Sequence, residues 1–225
     1  MVCIDLRSWR TALLLGIVLA LSGCATSGGK KPARSKAPAE VDVSATGETS
    51  APIELIPNPY LAQPVKAPPA AETAFRNALV AMQSEDWKTA EQQLLDLSQK
   101  NPQLSGPLVN LGIVYWRQEK LVEAENYFKQ ALAVNPLNDD AYVQFGLFLR
   151  EQGRFADAEQ TYQKALEVWP HNAAAHRNLG ILYDLYMGKF DAALKHYEMV
   201  LRLSAEPNKE VEGWIIDLKR RLAAG

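Results

Sequence analysis

Histidines, cysteines and serines are the residues of this chain that could act as metal ligands or nucleophiles, and their spacing limits what they can do. His171, His176 and His196 are the only histidines, and none has a Cys, Asp or Glu at a recognised metal-ligand spacing. No candidate serine lies in a nucleophile elbow, and the chain lacks a phosphate-binding glycine loop. We therefore expect no catalytic residues, no metal site and no small-molecule substrate. The sequence predicts a protein that is not an enzyme.

The two cysteines have a different kind of chemistry. Cys3 and Cys24 are too few for a disulfide framework or a cysteine-rich zinc site. Cys24 ends the stretch LSGC, which follows an apolar run over residues 12–21 with two arginines before it. That run is too short to cross a membrane alone, and the layout is typical of a signal peptide. Two small residues before Cys24 would let a peptidase approach, and the cysteine sulfur could form a thioether.

The LSGC stretch resembles the lipobox of bacterial lipoproteins. The resemblance implies that residues 1–23 are a removed signal peptide and that Cys24 becomes a lipidated first residue, its covalent lipid being the only cofactor. Two or more acyl chains would hold the protein firmly to a membrane. Ala25 replaces the aspartate that retains lipoproteins in the inner membrane in enterobacterial-type sorting. An outer-membrane anchor on the periplasmic face of a Gram-negative bacterium is therefore implied. A conventional secretory signal with an incidental cysteine is the alternative.

Residues 24–70 have the composition of a disordered tether. Eight of the thirteen prolines lie between residues 25 and 70, and large apolar residues are few. A basic cluster over residues 30–36 could attract anionic headgroups, with an ordinary solvated linker as the alternative. The short stretch IELIP, residues 53–57, could be a partner-binding motif.

The rest of the chain repeats with a period of 34 residues. Each unit contains apolar residues spaced as in two amphipathic helices joined by a short turn. The series that carry the period are Gly112, Gly146 and Gly180, and Pro102, Pro136 and Pro170.

These units resemble the tetratricopeptide repeat. The resemblance implies an all-α solenoid over residues 71–225, with repeats at 71–104, 105–138, 139–172 and 173–207 and a capping helix at 208–225. We expect each first-helix glycine to let the alanine of the second helix approach, and one extra residue near 183–190 to give a bulge or longer turn. The expected pairs are Gly112 with Ala124, Gly146 with Ala158 and Gly180 with Ala193 for the small residues, and Tyr115 with Phe128, Phe155 with Tyr162 and Tyr183 with Tyr197 for the rings.

The inward-facing positions of such repeats imply a partner-binding groove. Trp116 is expected to be either an anchor for the partner or an inter-repeat packing residue. The amides of Asn110 and Asn178 are expected to hold a ligand's backbone. Arg117, Arg150 and Arg177 would form either a positive strip for an acidic segment or isolated surface charges. The full set is Val109, Asn110, Ile113, Trp116, Arg117, Val143, Gln144, Leu147, Arg150, Arg177, Asn178, Ile181 and Asp184.

The combination of lipobox, tether and repeats resembles the tetratricopeptide lipoproteins of the bacterial envelope. It implies an adaptor for a protein or peptide partner, attached to a membrane. Assistance to a type IV pilus or secretin, as by a pilotin, is the first expectation. Recruitment of peptidoglycan hydrolases or a protease, and scaffolding of polysaccharide export, are the alternatives. A net charge of -2 gives no basic face for nucleic acid.

Overall fold

The structure is a computed structural model that describes residues 54–224, and the secondary structure of these residues is entirely helical. The predicted signal peptide and Cys24 lie outside the described residues. Helices pair in chain order as α2 with α3, α4 with α5, α6 with α7 and α8 with α9, and each pair packs on the next. The described helices are α1 (Pro59–Ala62), α2 (Pro69–Gln83), α3 (Trp87–Lys100), α4 (Ser105–Arg117), α5 (Leu121–Val134), α6 (Asp139–Glu151), α7 (Phe155–Val168), α8 (Ala173–Leu182), a π-helical turn (Tyr183–Met187), α9 (Phe190–Leu203) and α10 (Lys209–Ala224).

Side-chain caps and prolines set the helix boundaries between repeats. The side chains of Asn138 and Asn172 accept hydrogen bonds from the third backbone N–H that follows each of them, which fixes the starts of α6 and α8. The second helices α3, α5 and α7 end two residues before Pro102, Pro136 and Pro170. Proline disfavours helix in the residue before it, so the 34-residue period is a period of helix ends.

The turns inside the repeats share one left-handed residue. Glu85, Glu119, Gly153 and Gly188 have φ of 58°, 61°, 73° and 64° respectively. The first three are 34 residues apart and the last interval is 35. The extra residue of the fourth repeat is thus absorbed before Gly188, in the π-helical turn. The bulge or longer turn predicted for this repeat is confirmed.

The first-helix glycines make room for an aromatic ring rather than for an alanine, which corrects the expected pairing. A Cβ on Gly112 would lie 2.7 Å from Cε1 of Phe128, and one on Gly146 would lie 2.5 Å from Cε1 of Tyr162. Gly180 has the same relation to Tyr197. Any larger residue would push the ring outward, so the glycines set the distance between the paired helices.

The three predicted aromatic pairs are also wrong. Tyr115 stacks on Tyr127 with centroids 5.1 Å apart, Phe155 meets Tyr186 at 4.9 Å, and Tyr183 meets His196 at 5.5 Å. The rings at 128, 162 and 197 lie over the glycines of their own repeats. Tyr115, Phe155 and Tyr183 thus have ring partners other than the expected ones.

The N-terminal part of the described chain differs from the predicted tether. Residues 59–62 form the one-turn helix α1, and α2 begins at Pro69 rather than at residue 71. Asn58 and Ile56 hydrogen-bond to residues of the third repeat and of the turn that follows it. None of the described helices is long and apolar enough to cross a membrane.

Candidate protein-interaction face

The predicted groove residues of α4 are buried, which differs from their expected role as an open lining. Val109, Asn110, Ile113 and Trp116 are all less than a tenth exposed. The physical reason is that α4 packs against α3, α5 and α6 at once. These side chains stabilise the stack and leave little free surface for a ligand. Of the predicted α4 set, Arg117 alone is exposed.

Trp116 is a packing residue in this structure. Its side chain is 8% exposed, and its ring meets Phe148 of the next repeat edge to face with centroids 5.6 Å apart. The guanidinium carbon of Arg117 lies 5.4 Å from the Trp116 ring centroid, which adds a cation–π contact. Of the two expected roles, inter-repeat packing is the one that these contacts fill.

The accessible part of the predicted groove lies on α6 and α8. Val143 is buried in a cluster with Ala165 and Ala175, so it belongs to the core. The other predicted residues on these two helices are half-buried. We call these residues the α6–α8 face: Gln144, Leu147, Arg150, Arg177, Asn178 and Ile181.

The capping helix α10 occupies one side of this face. Arg177 Nη2 donates to Glu210 Oε2 at 2.5 Å, and its guanidinium carbon lies 4.8 Å from the Trp214 ring centroid. Asp184, in the π-helical turn, accepts from Arg221 Nη2 at 2.6 Å. Two of the predicted groove residues of the fourth repeat, Arg177 and Asp184, therefore hold α10 in place. Because Arg177 already has a carboxylate partner, the three arginines do not form one free positive strip.

The two asparagines use their amide groups within the protein. Asn110 Nδ2 donates to the carbonyl of Gly106 and Asn178 Nδ2 to the carbonyl of Ala174, both at 2.9 Å. Asn178 Oδ1 also accepts from Arg150 Nη1 at 3.3 Å. These bonds brace α4 and α8 and connect α8 to α6, so each amide nitrogen already uses one of its two N–H donors within the protein.

Three buried polar atoms on the α6–α8 face have no hydrogen-bond partner among the described residues. They are Gln144 Oε1, Arg150 Nε and Arg177 Nε. Two other such atoms, Gln93 Oε1 and Tyr162 Oη, belong to the second helices of their repeats. An unpaired buried polar group costs about 1–3 kcal/mol, so a ligand that these side chains turn to meet would recover part of that cost. One acceptor and two donors are the atoms that an extended peptide backbone can pair.

An ion-pair ladder between repeats is a feature that sequence reasoning missed. Glu91 lies 3.7 Å from Lys120, Glu125 lies 2.7 Å from Arg154, and Glu159 lies 2.8 Å from Lys189. Each glutamate is on a second helix, and its partner is in the inner turn of the next repeat. The signal was present in the sequence, because the glutamates and their first two partners are spaced by 34 residues.

The ladder also orders the tyrosines at its ends. Tyr183 Oη donates to Glu159 Oε1 at 2.8 Å, as Tyr115 Oη does to Glu91 Oε1 at 3.0 Å. Burial, followed by the bond to Glu159, raises the pKa of Tyr183 to about 12. Partial burial alone would raise the pKa of Glu159, but bonds from Lys189 and Tyr183 lower it below its ordinary value. The carboxylate is therefore ionised at neutral pH, and this group has a structural rather than an acid–base role.

A histidine pair connects α8 and α9. His176 Nε2 is 3.0 Å from the carbonyl of Pro170, which can only accept, so Nε2 carries the proton. His176 Nδ1 then accepts from His196 Nδ1, 2.8 Å away. Burial, with His176 as a second cause, lowers the pKa of His196 to about 4. Both rings are therefore neutral at pH 7.

The described residues contain no group of three or more His, Cys, Asp or Glu side chains placed to hold a metal ion.

The architecture is that of a tetratricopeptide-repeat solenoid, and the predicted fold class is confirmed. Two tetratricopeptide-repeat family models match the chain, one over residues 109–167 and one over residues 139–206. Such repeats are modules for binding other proteins. The chain is thus a scaffold of the protein-interaction type.

Among solved structures, the fold is similar to that of PilF of Pseudomonas aeruginosa. The identity is 24%, the TM-score is 0.62, and the match covers 69% of this chain and 70% of that chain. MamA is similar at 22% identity with a TM-score of 0.51, over 59% of this chain and 77% of that chain. No curated protein sequence matches the chain significantly.

Proposed function

We propose that this protein is an outer-membrane lipoprotein that faces the periplasm and acts as a non-enzymatic adaptor, binding a protein partner on the α6–α8 face. The observation that carries the binding proposal is the set of three unpaired buried polar atoms on that face, Gln144 Oε1, Arg150 Nε and Arg177 Nε. They lie on adjacent first helices, which are the inward-facing helices of tetratricopeptide repeats.

The chemistry of the three atoms fits an extended segment of the partner. Gln144 Oε1 can accept from a main-chain N–H, and the two arginine Nε–H groups can donate to main-chain carbonyls or a carboxylate. Leu147 and Ile181 lie on the same face and are half-buried. They supply apolar contact beside the polar pairs. Binding of this kind recognises the main chain of the partner and one or two of its apolar side chains.

In this proposal, Cys24 indicates where the protein acts. The resemblance of the whole chain indicates which envelope machine it assists. A lipid on Cys24 would hold the protein at the membrane while the tether lets the repeats reach a partner. Within the envelope, we favour pilotin-like assistance to a type IV pilus or secretin.

The binding proposal is tested with matched glutamine variants. Gln144→Ala removes the unpaired acceptor, whereas Gln160→Ala removes an exposed glutamine of α7 as a control. The whole protein, carrying an affinity tag, captures partners from envelope extracts, and the same partner is quantified for each form. We expect Gln144→Ala to lower capture about 2–10-fold, the value of one hydrogen bond, and Gln160→Ala to leave it unchanged. Equal capture by both variants and wild type would contradict the binding proposal. Secretin subunits among the captured proteins support the pilotin-like role, and wall hydrolases instead of secretin contradict it.

The anchoring proposal has its own test. Cys24→Ser should abolish metabolic labelling with palmitate and leave the precursor uncleaved by the lipoprotein signal peptidase. Cys3→Ser is the matched control and should be labelled and processed normally. Normal labelling of the Cys24→Ser variant would refute the lipid anchor and leave the binding proposal to its separate test.

A further inference from the structure

Residues 56–58 lie on the edge of the solenoid where one repeat joins the next. The indole Nε1 of Trp169 donates to the carbonyl of Ile56 at 2.9 Å. The backbone N–H of Ile56 donates to Nδ1 of His171, also at 2.9 Å. Two side chains of the turn between α7 and α8 therefore hold both main-chain groups of a single residue.

A buried carboxylate fixes the next polar side chain. Asp139 is 2% exposed, and its Oδ1 accepts from Asn58 Nδ2 at 3.0 Å while its Oδ2 accepts from Asn172 Nδ2 at 2.6 Å. In the preceding repeat, Ser105 takes the place of Asp139 and accepts from Asn138 at 2.9 Å. The serine hydroxyl serves the asparagine alone, whereas the carboxylate has a second oxygen. Asp139 therefore gives the third repeat an acceptor that the packing of the repeats does not use.

These hydrogen bonds recognise a backbone and one asparagine. Leu55, Ile56 and Leu61 are 66%, 52% and 62% exposed, so the aliphatic side chains of the segment point to solvent. The connection to the folded repeats, residues 63–68, is six residues long by the numbering and holds two prolines. Since the contacts are polar and partly exposed, the segment is held by a few exchangeable hydrogen bonds.

We propose that Asp139, Trp169 and His171 form a second peptide-binding site, for an extended aliphatic–proline–asparagine segment of a partner protein, and that residues 56–58 are its built-in competitor. This edge site is separate from the α6–α8 face. A second copy of the chain would offer the same contacts as the attached segment. The attached segment, at an effective concentration on the order of millimolar, would outcompete it. A partner that makes further contacts can displace the segment.

The test uses the full chain and a labelled synthetic peptide, ELIPNPYLAQ, which is residues 54–63. The released variant, Pro57→Gly with Asn58→Gly, loses the hydrogen bond from Asn58 to Asp139. It also loses the proline that stiffens the segment. The matched control, Gln63→Gly with Pro64→Gly, makes the connecting residues 63–68 more flexible and leaves residues 56–58 unchanged. We expect the released variant to bind the peptide at least about 10-fold more tightly than wild type or control, measured by fluorescence anisotropy.

Two further variants test the atoms of the site. Trp169→Phe in the released background removes the indole donor and keeps an aromatic ring, so peptide affinity should fall about 2–10-fold. A peptide with alanine in place of the asparagine should also bind more weakly. The proposal is overturned if the released variant shows no saturable binding, if its affinity equals that of wild type, or if neither change weakens binding. Gln144→Ala leaves this edge intact, so the two sites fail or succeed independently.

Discussion

Gly146→Ala is the substitution that most directly tests how the paired helices are spaced. The added Cβ would lie 2.5 Å from Cε1, 2.7 Å from Cδ1 and 2.9 Å from Cζ of Tyr162. Carbon atoms in contact prefer about 3.5–4.0 Å, so the ring must retreat by roughly 1 Å. Tyr162 is fully buried, so its ring can retreat only by displacing its neighbours.

The magnitude follows from two opposing effects. Overpacking a well-packed core costs about 1–3 kcal/mol, and a displacement of this size against a fully buried ring belongs at the upper end. Alanine in a helix interior gains about 0.5–1 kcal/mol over glycine. The net loss is therefore about 2 kcal/mol. For a protein of this size that corresponds to a decrease in Tm of about 4–8 °C.

The assay is thermal unfolding of the purified protein, followed by circular dichroism of the helices. Gly213→Ala is the matched control, because Gly213 is in α10 and a Cβ there would meet no atom within 4 Å. That control should raise Tm by about 1–4 °C through helix propensity alone. In a Tyr162→Leu background the Gly146→Ala change should cost much less, since the ring is gone. If Gly146→Ala raised Tm as the control does, the proposed ring-on-glycine spacing would be refuted.

Two other predictions concern a turn and the histidine pair. Glu119→Gly should stabilise the protein by about 0.5–1 kcal/mol, because it relieves a left-handed residue at φ 61° at some entropic cost; a lower Tm in denaturation scans would contradict this. His196 has a pKa of about 4 when folded and about 6.5 when unfolded, so the unfolded state binds the proton first. Stability is therefore full above pH 6.5 and is lost by up to about 3 kcal/mol as pH falls from 6.5 to 4. His196→Gln should flatten that part of the stability profile, measured by urea unfolding at each pH, and an unchanged slope would show that the pair is not titrating.

The repeat period was sufficient to predict the helix pairs. Gly146 and Pro136 recur because each helix pair needs one close contact between its two helices and one residue that ends the second helix. Both requirements are local. The one-residue insertion near Tyr183 was likewise visible, since a shift of period must be absorbed within the turn. What the period could not give was the ring that meets each glycine, because both the alanine and the aromatic residue of the second helix lie on its inner side.

The candidate site was predicted less well than the fold. Positions five, six, nine and twelve of a repeat indicate the inner side of a first helix, but burial there depends on the neighbouring repeats. Val109 and Trp116 are buried because α4 is packed between other helices, whereas Gln144 at the equivalent of Asn110 is half-buried. Arg177 is engaged because α10 brings Glu210 to it. The contact between Arg177 and Glu210 joins residues 33 positions apart, and no local pattern contains it.

The sequence by itself determined that the chain builds a helical repeat, that its second helices end just before Pro102, Pro136 and Pro170, and that Cys24 follows the pattern of a lipid attachment site. These properties depend on neighbouring residues and on a period, both of which can be counted along the chain. Only the tertiary structure decided which polar atoms on the inner side lack partners, and that Ile56 and Asn58 lie against Trp169, His171 and Asp139. The physical reason is that free surface and long-range hydrogen bonds are set by how the repeats stack, and stacking is a property of the whole solenoid.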